Sequence, residues 1–496
     1  MKKIFSITVF SFLLLAMGSC KKEYLETKPS NGVTEEVIFS KLSSVYSALD
    51  GAVQEQFAFG IGASTGHDNY GQKSFDLQND LMGNDMIVHS SGYGWYNADY
   101  NLSEWGRATT GRQSDNAWFF YYDVIKQANK LLAIIDGVTD APQADKDIVK
   151  GQALGLRAYA YFYLINYFQQ TYKGHEGSPG VPIYTEDALE GKPRGTVQNV
   201  YDQIIADLTA AEPLLNGKPR EDKAHIDVSV IRGFRARVAL LMEDWATAAT
   251  YAQSARQGYT LMDETQYVDF SAFSSVTNNE WMWGSIIPVD QATIYASFFS
   301  HIDIRTGGYA ALGGQKKIPK ALYDQIQPGD IRTSVFTAPG TGTTENPDYN
   351  QVKHQVPVAG SWAADYLYMR ASEMYLIEAE ALARQGGQDA AAQTVLEDLI
   401  SKRFSTYDAS VFSGQALINE ILLQRRIELW GEGFSLMDIK RLNQGLNRPT
   451  GPGNHGAPNF DPGVYTTGPA DARFLMRIPQ RELDANSAMT ENDQNP

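Results

Sequence analysis

Aromatic side chains are concentrated around residues 93–105, in a stretch with neither helical nor strand periodicity where Gly, Ser and Asn surround them. Sugar rings present apolar C–H faces and hydroxyl edges, so sites that bind them combine aromatic rings with amide or carboxylate groups. Both residue types occur here together. We therefore predict a shallow, solvent-open site for an oligosaccharide in this stretch. Its candidate residues are Tyr93, Trp95, Tyr96, Asn97, Asp99, Asn101 and Trp105.

Trp95 and Tyr96 are the leading candidates within this stretch. Tyr295 and Trp362, from a second irregular stretch, are candidates for the other wall of the site. The alternative for each ring is that it anchors its loop to the rest of the fold. Trp281 and Trp283 are two apart on a predicted strand, so at least one of them is expected in the core.

Residue patterns for catalysis or metal binding are not recognisable in the sequence. The seven histidines include no HExxH motif and no pair spaced like metal ligands on a helix. Residues 76–85 carry several Asp and Asn, but their spacing is not that of an EF-hand loop, and we predict solvated loop acids. We predict no catalytic residue, no metal and no cofactor. A carboxylate pair for glycoside hydrolysis could still be formed by any of the 58 Asp and Glu.

The single cysteine, Cys20, follows a charged start, an apolar run and two small residues, which together are typical of a secretory signal over residues 1–19. A Cys at this position resembles the lipobox of bacterial lipoproteins, in which the thiol is acylated. The resemblance implies that Cys20 is a lipid anchor followed by a polar tether over residues 20–34. The alternative is an ordinary signal peptide that happens to end near a Cys.

The composition is that of a globular protein with an acidic surface. Hydrophobic residues make up 43% of the chain, and the net charge is −16. Because nucleic-acid binding depends on cationic contacts to phosphates, this charge argues against a nucleic-acid partner. It also gives no electrostatic help in binding anionic lipid, so acyl chains would have to do the anchoring.

Helical periodicity dominates the chain and predicts a mainly α fold. Residues 228–257 and 366–403 each resemble a tetratricopeptide unit, with two helices and small residues beside a tight turn. The turn is predicted at Glu243–Asp244 in the first unit and at Gly386–Gly387 in the second. Two such units predict a helical scaffold. Other helices are predicted at 35–56, 116–136, 148–170 and 197–215. Three loop-rich insertions interrupt the scaffold, at about 60–112, 260–364 and 443–472.

Residues 418–442 (INEILLQRRIELWGEGFSLMDIKRL) combine an apolar helix face with many charges. Such charges beside an apolar face need partners, and buried pairs mainly fix how segments fit together. We predict that Arg426 and Glu428 pair in the scaffold. An arginine–carboxylate active site is the alternative.

Four segments resemble the motifs of the SusD/RagB family of outer-membrane glycan-binding lipoproteins, and their order along the chain matches that of the family. In chain order they are LRAYAYFYLINYFQQTYKGHEGSPGVPI, YLYMRASEMYLIEAEALAR, RRIELWGEGFSLMDIKR and the ending RIPQRELDANSAMTENDQNP. The resemblance implies one SusD-like domain over residues 35–496. It further implies a non-enzymatic protein on the cell surface that passes a glycan to a SusC-like TonB-dependent transporter. A lipid-anchored glycoside hydrolase and a tetratricopeptide-type protein-interaction scaffold remain as alternatives.

Overall fold

Helices make up most of the regular structure in the computed structural model, which describes residues 40–62, 64–103, 108–188 and 190–496. The mainly α fold class is thus confirmed. The helices of six or more residues are α1 (Leu42–Glu55), α2 (Gln72–Leu81), α3 (Arg112–Ile135), α4 (Gln143–Phe168), α5 (Val197–Leu215), α6 (Val228–Met242), α7 (Trp245–Ala255), α8 (Ala371–Gln385), α9 (Asp389–Ile400), α10 (Gly414–Glu428), α11 (Ser435–Arg441) and α12 (Gln480–Ala485). Shorter helices span Asn97–Tyr100, Glu264–Tyr267, Phe298–Ile302 and Lys320–Tyr323.

The described strands form three small antiparallel sheets of two strands each. Strand β1 (Ile87–Val88) pairs with β5 (Lys316–Lys317), β2 (Pro179–Pro182) with β3 (Arg194–Thr196), and β4 (Trp281–Ser285) with β6 (Tyr366–Arg370). Trp281 and Trp283 are both buried on β4, as the sequence predicted for at least one of them.

The two predicted tetratricopeptide-like units are helix pairs in the structure. Helices α6 and α7 meet at Glu243, which has a positive φ, and at Asp244, whose carboxylate accepts a hydrogen bond from the backbone N–H of Thr247 at 3.2 Å. Such an N-cap satisfies a donor that the first turn leaves free. Helices α8 and α9 are joined at Gly386 and Gly387, both in the left-handed region that favours glycine. Because α7 packs on α8, the two pairs stack into one array.

Helix α4 lies at the centre of the fold and is buried at every position from Gly151 to Phe168. It packs between α3 and α5. A Cβ at Gly151 would lie 2.6 Å from Cγ of Leu215, so glycine permits the close approach of α5. Apolar and aromatic residues on most faces of this helix account for its burial between its neighbours.

The prediction that residues 60–112 are irregular and that their acids are solvated is wrong for helix α2. All ten of its residues are buried, although most of them are polar. Asp76 accepts hydrogen bonds from Gln72 at 2.8 Å and Lys73 at 3.3 Å. Asp80 accepts from the backbone N–H groups of Gly433 and Ser435 at the start of α11. Burial raises the pKa of Asp80 to about 7, although these two hydrogen bonds oppose the shift. These partners satisfy the polar groups of α2 inside the core.

A buried network of four cations and four carboxylates joins β4, β6 and α10 to the loops around them. Arg370 contacts Glu280 at 2.6 Å, Glu428 at 2.8 Å and Glu432 at 2.9 Å. Arg403 contacts Glu280 and Glu428 at 3.1 and 3.0 Å. The remaining members are Arg332, Asp330 and Lys353. Because its charges balance and every side chain is at most 5% exposed, the network is structural rather than an accessible active site.

Arg426 and Glu428 do not pair with each other, which corrects that prediction. They are two residues apart on α10 and therefore point in different directions. Arg426 is partly exposed and pairs with the buried Asp85 at 2.6 Å, while Glu428 points into the buried network. Its arginine neighbours hold the pKa of Glu428 well below its usual range, although burial alone would raise it.

Candidate functional site

A cluster of aromatic rings lies where five loop segments meet. The short sheet of β1 and β5 brings the segment after Val88 beside the segment between Ile302 and Lys316. The backbone N–H of His89 donates to the carbonyl of Gln315 at 2.9 Å, and the Ser90 hydroxyl donates to that of Gly313 at 2.7 Å. The loop between α1 and α2, the loop before Phe298 and the loop before β6 complete the surface. We call these rings the aromatic cluster: His67, Tyr93, Trp95, Tyr295, Tyr309 and Trp362.

Tyr309 is the central ring of the aromatic cluster. Its centroid lies 5.3 Å from Tyr93, 5.8 Å from Trp95 and 5.4 Å from Tyr295. His67 stacks on Trp95 at 5.2 Å and is nearly parallel to Tyr295 at 6.0 Å. Its Nδ1 lies 2.5 Å from the Tyr309 hydroxyl oxygen, which fixes the relative positions of these two rings. The centroid spacings fall in the range that favours aromatic pairs.

The rings differ in how much surface they offer to a ligand. Tyr93 is 69% exposed and Tyr295 is 43% exposed. Trp362 is half-buried and lies 6.2 Å from Tyr295. Trp95 is also half-buried, with the Arg112 guanidinium 5.0 Å from its ring and His67 stacked on it. The structure therefore favours Tyr93 and Tyr295 as the contact rings and gives Trp95 a supporting position.

Tyr96 and Asp99 are not at the surface, contrary to the expectation for a solvent-open site. The Tyr96 hydroxyl donates to the Ser74 hydroxyl at 3.0 Å and accepts from the Tyr70 hydroxyl at 2.6 Å, and its ring is buried. Asp99 accepts a hydrogen bond from Gln78 at 2.9 Å, and burial raises its pKa to about 8. Both side chains hold the segment against α2 and cannot contact a ligand at the surface.

The other predicted polar residues give a mixed result. Asn97 is half-buried, and its amide lies 3.5 Å from the carbonyl of Ser91 within the same loop. The Asn101 amide can donate to the carbonyls of Asp461 and Pro462, both at 3.2 Å, so it ties this segment to the C-terminal loop. Trp105 lies outside the residues that the structure describes, as does Cys20.

His67 and Tyr309 are members of the aromatic cluster that the sequence analysis missed. The only local signal is that each ring stands next to glycine in an irregular stretch, GHDNYG and GGYAALGG. His301 supports both of them from below, since its Nε2–H donates to the carbonyl of His67 at 2.8 Å and its ring stacks on Tyr309 at 4.9 Å. Burial lowers the pKa of His301 to about 3, which keeps this ring neutral.

Two carboxyl groups lie behind the aromatic cluster. Asp68 is buried and pairs with Arg112 at 2.7 Å, and Asp99 is buried beside Gln78. Burial raises the pKa of both, and the charge of Asp68 adds to the shift of Asp99, whereas Arg112 opposes the shift of Asp68. Perturbed carboxyls can mark a catalytic site, but a general acid must reach the substrate. Neither group has the exposure to do so.

A cleft with a volume of about 880 Å³ lies elsewhere, beside α10 and α11. The Asp85–Arg426 ion pair is part of its wall, together with Leu422 and Leu423. Trp430 is its one tryptophan, and that ring is buried with Nε1 donating to the carbonyl of Asp85. Because this cleft lacks exposed rings, we favour the aromatic cluster as the site for a sugar, although the surface of the aromatic cluster is shallower.

The architecture is thus a tetratricopeptide-like helical scaffold that carries a loop-built aromatic surface. In the described part of the chain, no helix combines the length and the hydrophobicity needed to cross a bilayer. A family model described as "Starch-binding associating with outer membrane" matches residues 23–240, and the SusD family model matches residues 339–496. The chain belongs to the SusD family.

Relatives of known name agree with this assignment. SusD-like protein P38 of Formosa agariphila is 22% identical over 525 residues, which cover 90% of this chain and 93% of the relative. The structure of a SusD-like carbohydrate binding protein from Bacteroides vulgatus superposes with a TM-score of 0.79 at 29% identity and covers 91% of this chain and 98% of that one. Surface glycan-binding protein A from Bacteroides uniformis shares the fold, with a TM-score of 0.70, 19% identity, and coverage of 91% and 99%.

Proposed function

We propose that this protein captures an oligosaccharide or polysaccharide at the cell surface without cleaving it. The observation that carries the proposal is the pair of exposed rings, Tyr93 and Tyr295, that pack on Tyr309. Sugar rings stack on such faces through their C–H groups. Because the surface is open, several residues of a long chain could lie across it at once.

Family membership supports a glycan as the ligand. One family model is described as starch-binding, and relatives are named as a carbohydrate binding protein and as a surface glycan-binding protein. The same description places the family at the outer membrane. Acylation of Cys20 would anchor the chain there, and a SusC-like TonB-dependent transporter would receive the glycan.

A site that only captures a glycan needs fewer positioned groups than a site that cleaves it. Glycoside hydrolysis requires an acid and a second carboxyl on either side of the scissile bond. Asp68 and Asp99 are buried, and Arg112 already binds the first of them. Stacking instead requires only that the rings be held in position, and the contacts of His67 and His301 provide this.

Affinity electrophoresis and calorimetry against a panel of polysaccharides test the proposal. Each exposed ring should contribute about 1 kcal/mol, which corresponds to roughly a fivefold change in Kd. Tyr295→Ala and Tyr93→Ala should each weaken binding by that factor, with melting temperatures close to that of the wild type. Trp95→Ala should weaken binding and also lower stability, because this ring is half-buried.

The control variant is Val411→Ala, which removes an exposed apolar side chain (70% exposed) from the turn between α9 and α10. It should bind like the wild type. Unchanged affinity in the Tyr93→Ala/Tyr295→Ala double variant would refute the proposed site. Release of shorter sugars from a bound polysaccharide would favour a glycoside hydrolase, and failure of the wild type to bind any glycan would favour a protein-interaction scaffold.

A further inference from the structure

A group of possible metal ligands outside the aromatic cluster is formed by Asp50, Glu221 and His225. Asp50 lies on α1, while Glu221 and His225 lie in the connection between α5 and α6. One possible ligand atom from each residue falls within 4.8 Å of the others. His225 is only 7% exposed, whereas Glu221 is exposed and can adjust its position. The group therefore combines a fixed imidazole with two carboxylates.

The surroundings of His225 are unusual because a carboxylate faces each ring nitrogen. Nδ1 lies 2.9 Å from Oδ1 of Asp222, and Nε2 lies 3.2 Å from Oδ1 of Asp50. A neutral imidazole has one N–H and one lone pair, so it can donate to only one of them. With Nδ1–H directed at Asp222, the lone pair of Nε2 faces the carboxylate of Asp50. The contact between Nε2 and Oδ1 of Asp50 becomes favourable when a positive charge lies between these two atoms. That charge can be a proton or a metal ion.

The nearby cationic side chains bind other groups. Arg220 pairs with Asp227 at 3.3 Å, donates to the carbonyl of Met282 at 2.7 Å and lies 3.5 Å from the backbone carbonyl of His225. Lys223 donates to the carbonyl of Asn278 at 2.5 Å. Glu221 adds a third carboxylate to the two that already contact the His225 ring. Three carboxylates around one imidazole favour a divalent cation.

We propose that Asp50, Glu221 and His225 bind a divalent transition-metal ion of the Zn²⁺ type, with Asp222 orienting the imidazole. Metal-bound histidines commonly donate their second N–H to a carboxylate in this way. At Zn–O and Zn–N distances of about 2.0–2.1 Å, neighbouring ligand atoms of a tetrahedral site are about 3.3 Å apart. The 3.2 Å between Nε2 and Asp50 Oδ1 fits this spacing. Ca²⁺ fits less well, because it takes six to eight oxygen ligands.

Such an ion would tie α1 to the connection before α6. The sequence has a single cysteine, so it cannot form an intramolecular disulfide to do this. The site does not depend on the proposed glycan binding, because no member of the aromatic cluster contributes to it.

Calorimetric titration of the purified full chain, first dialysed against EDTA, tests the proposal with Zn²⁺, Mn²⁺ and Ca²⁺ as probes. We expect one Zn²⁺ per chain, little binding of Ca²⁺, and a melting temperature that rises with Zn²⁺ concentration. His225→Gln and Glu221→Gln should each abolish saturable binding or weaken it by at least about tenfold, and Asp222→Asn should weaken it about 10–100-fold.

His175→Gln is the matched control, because it removes a partly exposed histidine from the loop after α4. It should leave the titration unchanged. Glu221 is exposed, so its variant should fold even if His225→Gln does not. Absence of saturable Zn²⁺ binding by the wild type would overturn the proposal. So would equal affinity in the wild type and the Glu221→Gln variant, or a loss in His175→Gln as large as that in His225→Gln.

Discussion

Arg370→Met should destabilise the protein by far more than the loss of a surface ion pair. The guanidinium lies within 2.9 Å of three carboxylates, Glu280, Glu428 and Glu432, and is 1% exposed. Methionine preserves much of the apolar volume but leaves the network with one uncompensated negative charge. Breaking a buried pair in this way costs about 3–5 kcal/mol. With an unfolding entropy of about 2 cal/mol/K per residue, this loss of stability lowers the melting temperature of a chain of this length by roughly 3–5 °C.

Differential scanning calorimetry at neutral pH measures the effect. Lys150→Met is the control, because Lys150 is 35% exposed and pairs at 2.8 Å with Asp136, which is 65% exposed. Exposed pairs contribute about 0.2–1 kcal/mol, so its melting temperature should fall by about 1 °C or less. Combining Arg370→Met with Glu428→Gln restores the balance of charge and should cost less than the sum of the two single changes. Equal shifts for Arg370→Met and Lys150→Met would refute the reasoning.

Two further predictions concern a buried carboxyl and the anchor. Burial raises the pKa of Asp99 from 3.8 to about 8, so its stabilising contribution is present below 3.8 and is lost as pH rises through about 8. Asp99→Asn should therefore melt higher than the wild type at pH 8–9, and this gain should shrink steadily as pH falls toward about 4. A difference that grows toward acid pH, or an equal gain in exposed Asp187→Asn, would contradict this. Cys20→Ala should move the full chain from the membrane pellet to the supernatant, because acyl chains would supply its membrane affinity, and continued sedimentation in high salt would count against the anchor.

The scaffold was predictable because its helices repeat apolar residues at the spacing of the helical turn. The turn at Glu243–Asp244 and the glycines at 386–387 were placed correctly for the same reason, since capping and positive φ have local sequence signals. Helix α2 had no such signal. Its sequence, QKSFDLQNDL, has no apolar stripe, because polar partners from α3, α4 and the start of α11 surround it. Such partners are distant in sequence, so no local pattern could reveal them.

The candidate site was likewise predictable only in part. Residue types indicated aromatic rings in two irregular stretches, and the structure places Tyr93, Tyr295 and Trp362 in one cluster. Composition could not separate exposed from buried members of one loop, so Tyr96 and Asp99 were included wrongly as surface residues. The same limit applies to Asp50 and His225, which are 175 residues apart and meet only when α1 packs near the connection before α6.

The aromatic cluster requires the buried residues beneath it as much as its exposed rings. An exposed tyrosine that moved freely would lose side-chain entropy on binding a sugar, and that cost would offset part of the stacking energy. Tyr309 reduces this cost for Tyr93 and Tyr295, which pack on it, because it is itself held by a hydrogen bond to His67 and by stacking on His301. His301 is in turn fixed by the Lys316 ammonium, which donates to its carbonyl at 3.4 Å and to that of Gly314 at 2.6 Å. A rigid base under open rings thus favours stacking of a ligand on them, as the proposed glycan capture requires.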